Sequence, residues 1–173
     1  MGGPTGAALA SELRTLSADE THDVGRRLGT EAAGGTLLAL IGPLGAGKTQ
    51  LAKGVADGLG VTSVVNSPTF VLMNEHVGRL RLFHIDAYRL DEDRDPLEAG
   101  LLDDRQASGV TVIEWADRIE RWLPAERLEI EIAPDGADPE ARVMRWRAVG
   151  EAHSDLARRA LGSLTGSTGE SSQ

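Results

Sequence analysis

At 173 residues, with 40% hydrophobic and 26% charged side chains, the chain has the size and composition of one globular domain with a core of its own. It has no cysteine, which excludes disulfides and thiolate metal sites, and a formal net charge of −9, which argues against a broad basic surface for gripping nucleic acid directly. No apolar run reaches membrane-spanning length and residues 1–30 lack an apolar leader core, so the expected setting is the cytoplasm, with no membrane or DNA contact.

Residues 1–10 read as a loose end. A short strand is expected over Glu12 to Leu16. Ser17 and Glu20 have the spacing of a capping box, and Val24, Leu28 and Ala32 share a helical face, which predicts a helix from Ser17 to about Gly34. Leu37-Leu38-Ala39-Leu40-Ile41 is uninterrupted by polar residues, as in a strand covered on both faces. After Thr49, Leu51, Val55 and Leu59 recur at helical spacing. Strands over Val71 to Glu75 and Leu80 to Asp86 flank His76 to Arg79 and predict a hairpin. Asp91 to Asp95 is an acidic connector, with a short helix expected from Pro96 to Leu102.

Val110 to Ile113 is a second apolar strand, ending at Glu114-Trp115, and a helix is expected from there to Leu123. Arg127 to Ile132 and Arg142 to Val149 alternate about a Pro134-Asp135-Gly136 turn, the pattern of an antiparallel pair. Glu151 to Leu161 predicts a helix, and 162–173, rich in Gly, Ser and Thr, a disordered tail. The expected organisation is one domain over 1–161.

Between the second strand and its helix lies Gly42-Pro43-Leu44-Gly45-Ala46-Gly47-Lys48-Thr49, which matches the phosphate-cradling P-loop pattern G-x-x-x-x-G-K-[ST]. Gly42, Gly45 and Gly47 allow close approach of backbone N–H groups to an anion, and the helix start adds unpaired N–H groups. Lys48 supplies a point charge for β- and γ-phosphates, and the Thr49 hydroxyl a ligand for Mg²⁺. Leu44, Ala46 and Gln50 complete the residues expected against the nucleotide. In a chain with 21 glycines such a match can arise by chance, but strand, loop and helix fall in the required order.

Hydrolysis needs further groups beside the phosphates, and in open α/β sheets these collect at the carboxyl ends of strands. Asp86 and Glu114 stand at such ends, Glu114 after four apolar residues in a Walker-B-like run. Thr69 presents a hydroxyl to the γ-phosphate side or simply marks a turn after Pro68. His84 shares the strand face of Asp86 and reads better as a core histidine than as a site residue. Arg89 is either a charge stabiliser or a surface ion-pair partner, and Arg142 on the hairpin faces either the nucleotide or only solvent. Trp115 and Trp122 read as packing, an exposed Trp115 also suiting a partner interface. The guanine reader N-K-x-D is absent, because neither Lys48 nor Lys53 follows an Asn, so ATP is the expected nucleotide.

Leu44 to Thr49, Ser67-Pro68-Thr69-Phe70, His84-Ile85-Asp86-Ala87-Tyr88-Arg89-Leu90 and Ile113-Glu114-Trp115, in that order, resemble the signature of the TsaE (YjeE) family, over about Ser17 to Val149. The resemblance implies a three-layer α/β P-loop fold, a mostly parallel sheet with antiparallel additions. It implies a Mg²⁺-dependent ATPase of low intrinsic activity, stimulated by its partners and needed for threonylcarbamoyladenosine in tRNA. Those partners would be TsaD and TsaB, with tRNA reached through them. By position, Lys48 would hold phosphates, Thr49 and Glu114 would serve Mg²⁺, and Asp86 and Thr69 would line the hydrolytic side. The stretch Ser17 to Thr21 also approaches the nucleotide in that family. Pro43 departs from its pattern, which usually has a polar residue there, and removes one backbone N–H. Two rival readings of the same residues are a small-molecule kinase and a non-catalytic nucleotide sensor.

Overall fold

The computed structural model describes residues 11–68, 72–90, 95, 96, 98 and 100–165. Thr69, Phe70 and the acidic stretch 91–94 lie outside them. The regular elements are β1 (Ser11–Thr15), α1 (Ala18–Glu31), β2 (Leu37–Ile41), α2 (Lys48–Gly58), β3 (Met73–His76), β4 (Leu82–Asp86), β5 (Val110–Glu114), β6 (Arg127–Asp135), β7 (Asp138–Val149) and α3 (Glu151–Leu161). They form a sheet of order β1-β7-β6-β2-β5-β4-β3. The central strands β6, β2, β5 and β4 run parallel, while β3, β7 and β1 join antiparallel at the two sides. This is the mostly parallel α/β sheet with antiparallel additions that the motifs imply.

Alternation along β2 divides the core. Leu38 and Leu40 join the cluster that contains Val24, Leu28, Leu51, Val55 and Leu156, so α1, α2 and α3 cover one face. Leu37 and Ala39 point the other way, to Ile85, Ile113, Leu90, Leu101 and Ile119. That second face is covered by loops and a 3-10 turn instead of by long helices.

Several boundaries differ from the sequence reading. Helix α1 stops at Glu31, because Ala32 is already extended and the chain turns toward Gly35, whose N–H donates to the Gly109 carbonyl at 2.8 Å. At its start Ser17 Oγ accepts from the Glu20 N–H at 3.2 Å, but Glu20 reaches back to the N–H of Leu16 (2.6 Å). The helix expected after Trp115 is a 3-10 segment, Ala116–Trp122, broken by the non-helical φ of −125° at Ile119, whose side chain is drawn into the core. No helix is assigned among the described residues between Pro96 and Leu102; a 3-10 segment follows instead at Asp104–Ser108. The expected tail begins with order, a 3-10 turn at Gly162–Leu164 in which Leu164 packs against the larger core cluster. Among the described residues, no helix is long and apolar enough to cross a membrane.

The closest packing joins α1 to α2, and glycines make it. A Cβ at Gly25 would sit 2.2 Å from the Leu51 carbonyl oxygen, and one at Gly54 would sit 2.0 Å from the His22 carbonyl oxygen. Gly29 and Gly58, one turn further on, meet backbone in the same way. Mid-helix glycine costs about 1 kcal/mol relative to alanine, and here that cost allows two backbones to touch. A second constraint lies beneath β2, where the buried His153 on α3 accepts the Leu37 N–H at Nε2 (3.0 Å). Burial lowers the His153 pKa, against a smaller opposing effect of Glu126.

Gly25→Ala is therefore expected to destabilise the fold by about 1–3 kcal/mol through overpacking, despite alanine's better helix propensity; urea denaturation measures it, and a neutral result would refute the backbone contact. His153 makes stability depend on pH in one direction. Its folded-state pKa lies below the unfolded 6.5, so its contribution is present above that value and lost as pH falls from there toward the folded pKa. His153→Gln should flatten that part of the stability profile.

Candidate functional site

The carboxyl ends of β2, β4 and β5 lie side by side, with Leu40 paired to Glu114 and Glu114 to Asp86 in parallel register. Beyond them the chain turns through the P-loop into α2. Gly47, the residue before α2, has φ of 109°, a left-handed conformation suited to glycine. Gly42 passes so close to β6 that a Cβ there would fall 2.1 Å from the Ile132 carbonyl oxygen. The loop and the strand ends enclose a cleft of about 420 Å³.

Its polar wall is held by short hydrogen bonds. The Thr49 hydroxyl donates to Glu114 Oε1 at 2.7 Å. On the other side of the carboxylate, His84 Nε2 lies 2.5 Å from Glu114 Oε2. Burial pushes the Glu114 carboxyl up, but the hydrogen bonds from His84 and from the Thr49 hydroxyl and the charge of Lys48 outweigh it and hold the group below its ordinary value. Asp86 is fixed by the Ser67 hydroxyl (2.8 Å) and by the N–H of Tyr88 (2.9 Å).

Lys48 is 4% exposed and curls into its own loop, where Nζ donates to the carbonyls of Gly42 (2.6 Å) and Pro43 (2.8 Å). It also stands 4.0 Å from the ring centroid of Trp115. Desolvation lowers its pKa, partly offset by Glu114, Asp117 and Asp86. Trp115 is half-buried and has φ of 59°, turning the chain sharply at the end of β5. Its ring meets that of Tyr88 at 4.8 Å, and the Arg118 guanidinium lies over Tyr88.

The structure thus brings Leu44, Gly45, Ala46, Gly47, Lys48, Thr49, Gln50, Asp86, Arg89 and Glu114 to one cleft. Gly42 takes part through its carbonyl on Lys48. Thr69 lies outside the described residues; Ser67 and Pro68, which precede it in the sequence, line the cleft. His84 corrects the sequence reading: it is wholly buried, as a core histidine is, and also bonded to the site carboxylate. The signal for this was its position two residues before Asp86, on the same strand face.

Arg142 faces the loop. Its Nε donates to the Ala46 carbonyl at 2.9 Å and Nη2 to the Gly45 carbonyl at 3.3 Å. Beside it a smaller hollow of about 150 Å³, lined by Ala18, Thr21, Gly47, Gln50, Pro139, Glu140 and Arg142, adjoins the cleft through Gly47 and Gln50. The start of α1 and the β6–β7 hairpin therefore meet at one place, where the sequence left them as separate options.

The donor set fits a magnesium–nucleotide complex. Among the described residues no cluster of three or more His, Cys, Asp or Glu side chains could hold a metal alone. Mg²⁺ commonly takes only one or two carboxylates and completes its shell with phosphate oxygens and water. Thr49 and Glu114, already 2.7 Å apart, offer one hydroxyl and one carboxylate beside the loop.

The family model described as "Threonylcarbamoyl adenosine biosynthesis protein TsaE" matches residues 15–143. The chain is 42% identical over 144 residues to the tRNA threonylcarbamoyladenosine biosynthesis protein TsaE of Bacillus subtilis, covering 83% of this chain and 89% of that protein. It is 39% identical over 116 residues to the protein of the same name from Treponema pallidum, covering 67% and 86%. The crystal structure of Bacillus subtilis YdiB superposes with a TM-score of 0.74 at 34% identity, over 91% of this chain and 99% of that one.

Removing the guanidinium that grips the loop should loosen it. Arg142→Ala is expected to cost about 1–2 kcal/mol of local stability, read as roughly tenfold faster hydrogen exchange at the amides of Ala46 and Gly47. Unchanged exchange there would mean that Arg142 does not hold the loop.

Proposed function

The chain belongs to the TsaE family of threonylcarbamoyladenosine biosynthesis proteins, and from that premise we propose that it is an ATP-hydrolysing accessory subunit for this tRNA modification. The observation that carries the reading is the 2.7 Å contact of Thr49 with Glu114 at the mouth of a P-loop. A metal-ligating role for this hydroxyl and carboxylate is supported by their position beside the loop that would hold a nucleotide's terminal phosphates.

Backbone N–H groups of Gly45 to Thr49 and the start of α2 bind the phosphate oxygens. Lys48 exchanges its carbonyl partners for phosphate and supplies positive charge to the β- and γ-groups. Thr49 and Glu114 hold Mg²⁺, which when bound neutralises charge developing on the transferred phosphoryl group. Asp86, kept in place by Ser67 and the Tyr88 N–H, orients the attacking water. Thr69 is assigned to the same side. The hollow between α1 and the hairpin takes the adenine, with Arg142 at its edge.

TsaD and TsaB are the proposed partners, and tRNA reaches the assembly through them, in keeping with the acidic balance of this chain. Hydrolysis would change how the subunit sits on TsaD–TsaB and reset the assembly between turnovers. The exposed Leu44 at the loop tip (86%) and the half-exposed Tyr88 at the cleft mouth suit a partner that closes over the nucleotide.

Phosphate release measured with and without TsaD–TsaB tests the reading. Glu114→Ala is expected to lower turnover by about 10²-fold or more with ATP binding retained, and Lys48→Ala to weaken ATP binding by about 10–100-fold. Wild-type turnover in either variant would overturn the assignment. A specific phosphorylated metabolite would replace it with a kinase, and turnover unaffected by TsaD–TsaB would remove the partner claim.

A further inference from the structure

Of the two donors that fix Glu114, His84 is the less explained. An ionised carboxylate only accepts hydrogen bonds, so the proton between His84 and Glu114 sits on His84 Nε2. In the neutral ring Nδ1 is then an acceptor. That nitrogen is buried and has no hydrogen-bond partner among the described residues. A buried polar atom left unpaired costs about 1–3 kcal/mol, so an unpaired nitrogen beside a site carboxylate requires an explanation.

A matching group stands on the next strand. His76 of β3 is 8% exposed, its Nδ1 lies 2.8 Å from Ser63 Oγ, and its Nε2 is likewise buried and unpartnered among the described residues. Pairing of Asn74 with His84 and of His76 with Leu82 makes His76 and His84 diagonal neighbours on one face of the sheet. Burial lowers the His76 pKa, which favours its neutral ring. When the Ser63 hydroxyl donates to His76 Nδ1, His76 Nε2 carries the proton and becomes the donor that His84 Nδ1 lacks. The two unpaired nitrogens have complementary sense.

We propose that His76 is a positioning residue for Glu114, through a one-directional chain of hydrogen bonds. Ser63 O–H donates to His76 Nδ1, His76 Nε2–H donates to His84 Nδ1 through one buried water, and His84 Nε2–H donates to Glu114 Oε2. The chain gives His84 Nδ1 its donor and so holds the ring from behind, and with it the direction in which Glu114 faces Thr49. It runs from the exposed Ser63 in the loop after α2, beneath the helical layer, to the cleft. Losing a group that hydrogen-bonds a metal's own ligand typically costs about 10–100-fold in metal affinity or activity, and His76 stands one bond behind such a group.

That Glu114 serves Mg²⁺-dependent hydrolysis rests on the function proposed above; the tautomer does not. Long-range ¹H–¹⁵N spectra of the ¹⁵N-labelled full-length protein should show both His84 and His76 protonated at Nε2. In His76→Leu the His84 Nδ1 resonance should move downfield as that nitrogen loses its donor, and the Mg²⁺ concentration for half-maximal turnover should rise about tenfold. His76→Gln, whose amide nitrogen can donate in place of Nε2, should restore both. Thermal unfolding confirms that each variant is folded, and Ser63→Ala, at an exposed position, serves if His76→Leu is not; it should disturb the His76 tautomer first. The proposal is overturned if wild-type His84 carries its proton on Nδ1. It also fails if a folded His76→Leu, or Ser63→Ala in its place, leaves the His84 Nδ1 resonance and the Mg²⁺ response unchanged. Expected tautomers in a protein without ATPase activity would sink the functional reading and leave the chain of bonds standing.

Discussion

The hydroxyl-to-carboxylate bond between Thr49 and Glu114 ties the first turn of α2 to the last residue of β5, and the cleft depends on it. Neither element could place its group alone. Thr49 is held by the loop that leaves β2, and Glu114 by parallel pairing of β5 with β2 on one side and β4 on the other. That pairing also sets Asp86 beside Glu114. Two carboxylates at neighbouring strand ends would repel one another in isolation, and each is met by its own donors, Thr49 and His84 for one, Ser67 and the Tyr88 N–H for the other.

Close approach of the first two helices carries this arrangement outward. Glycines at Gly25, Gly29, Gly54 and Gly58 let α1 and α2 touch along their backbones. Helix α2 begins at the phosphate loop, and α1 begins beside the smaller hollow with Ala18 and Thr21. Thr21 is itself tied to the end of β1 by a buried hydroxyl pair, Thr15 to Thr21 at 2.7 Å. Interiors packed this tightly transmit displacement instead of absorbing it, so the two hollows keep one spacing.

What the sequence showed, and what it hid, follows from the range of each interaction. The P-loop was legible because strand, glycines, lysine and helix are contiguous, and the strand-end rule brought Asp86 and Glu114 to the same edge before any coordinate. The double role of His84 was not, since burial and site bonding look alike in a strand pattern; only the neighbouring strand supplies Glu114. Arg142 depended on the register of β7 against β6, which includes a shift near Pro134 and Asp135 that alternation does not announce. The paired glycines recur four residues apart in each helix, a readable spacing, but its meaning needs to know which helix lies opposite. The segment after Trp115 was expected to be a helix up to Leu123, whereas it is a 3-10 segment interrupted at the buried Ile119.

Lys48 gives the loop its direction of response. Its ammonium is buried and held by two carbonyl oxygens and the face of Trp115, all neutral partners. Desolvation already presses its pKa down, so the burial of this charge is only partly compensated. In the proposed function a phosphate would bring Lys48 a full opposite charge, which its carbonyl partners and the Trp115 ring lack, and taking it would release the Gly42 and Pro43 carbonyls and the ring together. The side chain proposed to recognise the ligand therefore joins the loop to the aromatic pair at the cleft mouth.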